Sequence, residues 1–167
     1  MKMRRGIQAV CGVMVLILWC SQAGAQGKGN GPKKEPDCSI DPFSTAVIES
    51  GSTSDGCREI VLEVSHDGRG KYGLSHFTVD IPCGQIYNLT NSSGWRQEYG
   101  KDPRTGLYGF KIDDISGFGG RTPQRFEVSF KLCGSCQLDQ LVVAYKAGLC
   151  ITYDTLALPG DDPTHPG

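Results

Sequence analysis

Apolar and polar residues alternate with a period of two through most of this chain, which predicts strands with one face on a core and the other in water. In EIVLEVSH, Ile60, Leu62 and Val64 share one face while Glu59, Glu63 and Ser65 share the other. HFTVDIPC has the inward set Phe77, Val79 and Ile81. RFEVSFKLC alternates Phe126, Val128, Phe130 and Leu132 against Arg125, Glu127, Ser129 and Lys131, the pattern of a half-buried antiparallel strand. Tyr108, Phe110 and Ile112 alternate against Gly109, Lys111 and Asp113. QLVVAYKAG and LCITYDTLAL add two strands rich in β-branched and aromatic residues, joined near Ala147 and Gly148, where glycine accepts a positive φ. STAVIES supplies the first strand. No window of helical length repeats with the helical period. The pattern predicts an all-β domain of about seven or eight strands, an antiparallel β-sandwich of the Ig-like or jelly-roll-like kind.

The segments between these runs carry turn chemistry. HDGRGKYGLSH is a glycine-rich connection with Asp67-Gly68 as its turn signal. In KDPRTG, Pro103 fixes φ, Asp102 caps the turn through its carboxylate and Gly106 takes a backbone conformation that other residues resist. NSSGWRQEYGKD and ISGFGGRTPQ read as loops. Residues 26–37 combine glycine, proline and charge without apolar periodicity, as does PGDDPTHPG at 159–167, and both are expected to be flexible. His165, in that tail, is expected to be solvated. The domain itself is expected to span residues 38–158.

The first 25 residues change the setting. Lys2, Arg4 and Arg5 precede an apolar run from Ala9 to Trp19, and Ala23-Gly24-Ala25 offers small residues to a signal peptidase, so residues 1–25 read as a secretory signal peptide. The run is shorter than the roughly 20 residues that span a bilayer. Trp19 beside Cys20 argues against lipid attachment, and the residues after Arg4-Arg5 do not support a twin-arginine signal. Three of the 17 basic and none of the 18 acidic residues lie in this leader, leaving 14 against 18 and a net charge of −4. That balance invites neither nucleic acid nor an anionic membrane, and no later segment reads as a membrane span. The expected location is outside the cytoplasm, extracellular or periplasmic.

Cys38, Cys57, Cys83, Cys133, Cys136 and Cys150 remain after the leader. An even set in an exported chain reads as disulfides, with fifteen connectivities open to six cysteines. Cys133 and Cys136 form the one close pair. A strand follows them where a redox site would need a helix to lower the thiol pKa, and no second ligand pair completes a zinc site. The two are expected to lie near each other whatever their partners.

Catalytic constellations are scarce. Ser65-His66-Asp67 and Ser75-His76 resemble a triad only in print, because adjacent strand residues point to opposite faces. The carboxylates of Asp67, Asp102, Asp113 and Asp114 are hard oxygen donors in or beside loops, which makes Asp102, Asp113 and Asp114 candidate calcium ligands. Lys101, Arg104, Lys111 and Arg121 are alternative partners that would neutralise those acids without a metal. Trp95, Arg96 and Tyr99, in a predicted loop, are candidate contacts for a cell-surface glycan or protein, since aromatic rings present an apolar face with a polar rim. The competing reading places Trp95 in the core. Asn88 and Asn91 open N-glycosylation sequons, of use only in a eukaryotic secretory pathway.

GKDPRTGLYGFKIDD, followed by FEVSF and VVAYKAG, resembles small secreted bacterial all-β modules of unassigned function. The resemblance spans Val61 to Thr155 and implies a secreted β-sandwich with the DP-x-TG turn and the KAG strand as its structural signature. It implies no catalytic residues. The functional expectation is a secreted, disulfide-stapled, non-catalytic binding or surface-associated structural module. The alternative is an extracellular carbohydrate-active hydrolase or lyase using loop carboxylates, with Asp113 and Asp114 as its acids.

Overall fold

A computed structural model describes Cys38 and residues 42–136 and 138–159. The expected signal peptide, residues 26–37 and the end of the tail lie outside these described residues. Nine strands follow in order: β1 Phe43–Ser52, β2 Arg58–His66, β3 Leu74–Asp80, β4 Gln85–Asn91, β5 Arg96–Lys101, β6 Tyr108–Asp113, β7 Gln124–Cys133, β8 Gln140–Ala147 and β9 Cys150–Ala157. They form two antiparallel sheets, β1-β2-β7-β4 and β5-β6-β3-β8-β9. The described residues contain no helix, so none is long and apolar enough to cross a membrane.

The core lies between the sheets and is built by the alternation visible in the sequence. Ile60, Leu62 and Val64 of β2 oppose Phe130, Val128 and Phe126 of β7 in register, and all six are buried. From the other sheet come Phe77 and Val79 of β3, Phe110 and Ile112 of β6, and Val143 and Tyr145 of β8. The Phe110 and Phe130 rings meet edge to face at 4.9 Å between centroids, bridging the two sheets.

The sequence reading of 91–102 as loop is corrected: Arg96–Lys101 is a strand, hydrogen-bonded to β6 from Arg96↔Asp113 to Lys101↔Tyr108. Its polar composition belongs to a sheet edge, where burial does not select apolar residues. β4 was hidden for another reason. A bulge between Tyr87 and Thr90, with Asn88 at φ 52°, interrupts the period-two pattern on which strand prediction rests.

Three disulfides staple the sandwich: Cys38–Cys150, Cys57–Cys133 and Cys83–Cys136. The second continues the β2–β7 ladder just past the Arg58↔Leu132 pair. The third joins two connections that pass between the sheets, and the first ties the segment before β1 to the start of β9. Cys133 and Cys136 thus take separate partners on one end of the domain. Their closed loops, 53 to 112 residues in sequence separation, are long enough that each bridge alone is worth on the order of 4 kcal/mol through the unfolded chain. Disulfides form and persist mostly in oxidising environments.

Candidate functional site on the hairpin of β5 and β6

The loop 102–107 between β5 and β6 does not project freely; it folds back over the outer face of its own sheet. Asp102 is 4% exposed. Its Oδ2 accepts hydrogen bonds from Thr105 Oγ1 at 2.7 Å and from Thr78 Oγ1 on β3 at 3.0 Å, and its Oδ1 accepts the Arg104 N–H at 3.0 Å. The carboxylate therefore caps the turn and anchors it to a strand two positions across the sheet. On β6 beside it, Gly109 leaves no room for a side chain, since a Cβ there would collide with the backbone of Val79 and Ile81. Gly106 closes the loop at φ 78°, with its N–H donating to Asp102 O. On the far side the Tyr153 hydroxyl of β9 donates to Thr105 O at 2.9 Å. Thr78 and Ala144, which lie in register between β6 and β9, are fully buried beneath this bridge.

A charge network occupies the same outer face beside the loop. Arg96 reaches Glu98, Asp113 and Asp114 at 2.6, 3.0 and 2.8 Å. Lys111 reaches Glu98 and Asp113 at 2.8 and 2.7 Å. Burial pushes the Asp113 carboxyl up, but the Lys111 hydrogen bond and neighbouring charge outweigh it and hold Asp113 below the ordinary carboxylate value. Asp102 behaves alike: burial is opposed by the Arg104 N–H and the Thr105 and Thr78 hydroxyls, with the net shift downward. His76 of β3 sits between the two acids, its Nε2 3.5 Å from Asp102 Oδ2 and its Nδ1 3.8 Å from Asp113 Oδ1. Burial lowers its pKa more than the two carboxylates raise it. The buried Nε2 makes no hydrogen bond.

The candidate calcium ligands are accordingly separated. Asp113 and Asp114 share Arg96, whereas Asp102 faces inward into hydroxyl and amide donors. Among the described residues no three or more His, Cys, Asp or Glu side chains are arranged to hold a metal ion. Of the four cations expected to neutralise these acids, Lys111 pairs with Asp113; Arg96, grouped by sequence with the ligand contacts, pairs with Asp113 and Asp114, and Asp102 is held by the Thr78 and Thr105 hydroxyls and the Arg104 N–H.

The candidate contacts Trp95, Arg96 and Tyr99 do not converge on one face. Trp95 is half-buried and packs edge to face against Phe126 and Phe118, at 5.0 and 6.2 Å between centroids. Its backbone is clamped by Asn91, whose Oδ1 accepts the Trp95 N–H and whose Nδ2 donates to Trp95 O, both at 2.9 Å. Arg96, the next residue, points to the opposite face and joins the charge network. Tyr99 returns to the side of Trp95 but is 60% exposed. Beside it stands Tyr108, 59% exposed, which the alternation with Phe110 and Ile112 had grouped with the core. The register pairs Tyr99 with Phe110 and Lys101 with Tyr108, so Tyr99, Lys101 and Tyr108 share one face. That face is core at Phe110 and Ile112 and emerges into solvent toward the hairpin tip. The hairpin register, had it been assigned from the DP-x-TG turn, was the signal that would have grouped these residues.

A cleft of about 380 Å³ lies at the disulfide end between Cys57, Arg58, Cys136, Leu138 and Leu158. Its Arg58 guanidinium is already engaged by Ser50 Oγ and by the carbonyls of Leu138 and Pro159. Compared with known protein families, curated proteins and solved structures, the chain matches none.

Proposed function

We propose that this protein is a secreted, non-catalytic binding module whose contact element is the hairpin of β5 and β6. The observation that carries this reading is that Tyr99 and Tyr108 are both exposed on one face of a hairpin whose loop is hydrogen-bonded across the other face. Tyrosine combines a flat apolar area with a polar tip and loses little conformational freedom on contact, the properties of a residue that binds sugars or protein surfaces. The clamped loop removes most of the ordering cost that a mobile one would bring to binding. Three disulfides and the signal-like leader support export.

The hydrolase or lyase reading draws less support. A general acid at neutral pH needs a carboxyl raised toward the operating pH, whereas Asp102 and Asp113 are shifted the other way. The test is a panel of extracellular glycans and proteins assayed together for binding and turnover. Saturable binding without turnover, lost in Tyr99→Ala with Tyr108→Ala, is the expected result. Turnover of any substrate that disappears in Asp113→Asn would replace the binding reading with the enzymatic one.

A further inference from the structure

Independently of the hairpin, we infer that the cleft at the disulfide end is a binding site for a short apolar peptide with free termini. Arg58 meets its carboxylate, Asp139 its ammonium, and Leu132, Leu138 and Leu158 its side chains. The two charges carry this. Arg58 and Asp139 line the same cleft of about 380 Å³, yet neither lies within salt-bridge distance of the other or of any opposite charge among the described residues. Arg58 donates through Nε to Ser50 Oγ at 2.8 Å, through Nη1 to Leu138 O at 3.4 Å and through Nη2 to Pro159 O. All three acceptors are neutral. A guanidinium has more N–H groups than these bonds use. One remains on each terminal nitrogen, the pair of atoms on which a carboxylate docks as a fork.

Asp139 presents the opposite charge. Its backbone carbonyl accepts the Leu158 N–H at 2.8 Å, which fixes it in the wall of the cleft, and its carboxylate accepts no hydrogen bond among the described residues. Asp55, on the turn that borders the cleft, is taken by Lys131 at 2.6 Å. A ligand therefore meets one cation and one anion, the complement of a zwitterion, whereas a simple acid or a simple amine would face one charge of its own sign. The remaining wall is aliphatic: Leu132 and Leu158 are 4% and 7% exposed, and Leu138, half-buried, packs against the core. A cleft of this volume suits a small molecule and not a folded partner. Its lining residues Cys57 and Cys136 are bridged to Cys133 and Cys83, and Arg58 ties β2 to the loop after β7 and to the exit of β9. A site cross-linked in this way is ordered before the ligand arrives, which lowers the cost of binding.

The experiment is calorimetric titration of the oxidised protein with leucyl-leucine, N-acetyl-leucyl-leucine, leucyl-leucine amide and diglycine. Leucyl-leucine is expected to bind saturably. Blocking either terminus is expected to weaken it about tenfold, from one charge-assisted hydrogen-bonded contact, and diglycine is expected to bind at least about tenfold more weakly for want of apolar contact. Asp139→Asn is expected to weaken leucyl-leucine about tenfold while leaving N-acetyl-leucyl-leucine, which has no ammonium, unchanged. Ser135→Trp, which places a ring in the cleft, is expected to abolish binding of every ligand. Asp139 and Ser135 are both exposed, and an unchanged melting temperature verifies that these variants fold. Absence of leucyl-leucine binding overturns the inference, as does equal affinity for the free and the blocked peptides. Binding that survives both Asp139→Asn and Ser135→Trp overturns it too. Binding lost instead in Tyr99→Ala with Tyr108→Ala overturns it in favour of the hairpin, so the two sites fail separately.

Discussion

Asp102 and Thr78, 24 residues apart in the chain, meet through a 3.0 Å hydrogen bond that is almost sealed from solvent. That contact turns a hairpin loop into a bridge lying across three strands. It also places a carboxylate beside His76 and leaves the opposite face of the hairpin to display Tyr99 and Tyr108. Four predictions follow from this arrangement and from the packing around it.

Asp102→Ala would leave the Thr78 and Thr105 hydroxyls and the Arg104 N–H without their acceptor. Thr78 is fully buried, so water does not replace what is lost, and the expected destabilisation is about 3 kcal/mol. Thermal melting followed by circular dichroism is expected to drop by roughly 10 °C. Asp102→Asn, which keeps one acceptor oxygen, is expected to fall between wild type and alanine. A melting temperature unchanged in Asp102→Ala would mean that the loop is not anchored by this side chain.

Stability is expected to fall in two separate pH windows. His76 binds its proton less readily folded than unfolded, since burial depresses its pKa from 6.5; the unfolded chain therefore binds more protons as pH drops. Its contribution is complete above pH 6.5 and is lost as pH falls through the depressed folded value. Asp102 and Asp113, also depressed, from 3.8, hold their contributions until pH falls below that value. Urea midpoints measured from pH 8 to pH 3 are expected to show both declines in wild type and only the lower one in His76→Gln. A flat profile between pH 7 and pH 5 in wild type would contradict the role given to His76.

Trp95 is expected to emit as a largely shielded indole with limited quenching by acrylamide, and it is the sole tryptophan outside the leader. Trp95→Ala removes edge-to-face contacts with Phe126 and Phe118 and is expected to cost about 3 kcal/mol through the cavity it leaves. Ligand affinity measured below the melting transition is expected to stay unchanged. Loss of binding with full stability would instead return Trp95 to the contact surface.

Calcium is expected to leave the melting temperature unmoved relative to chelator. Asp113 and Asp114 already share Arg96, and Asp102 already accepts three hydrogen bonds, so a cation would have to displace these partners. A ligand specific for the folded state raises stability with its concentration. A rise across a calcium titration would reinstate the aspartates as ligands.

Much of the sandwich was legible in local pattern. β2, β3, β7 and β8 bury one face and wet the other, and that asymmetry forces alternation into the residues themselves. The DP-x-TG turn was legible too, because its cap, its fixed φ and its positive φ are requirements of a few adjacent residues. β4 and β5 were not, since a bulge interrupts one and an edge position frees the other from apolar selection. Within the candidate site, Tyr99, Arg96 and the three aspartates could be picked out singly, but their grouping could not.

What the sequence by itself determined is therefore the all-β class, the conformation of the 102–107 turn and the presence of an even set of cysteines. These depend on neighbours in the chain. Tertiary structure alone decided which cysteines pair, that Asp102 turns inward to Thr78 and His76, that Trp95 faces Phe126, and that Tyr108 leaves the core for solvent. Each of these depends on where one strand ends relative to another across a sheet or between sheets. Periodicity assigns a residue to a face; only the packed partner opposite decides whether that face is covered.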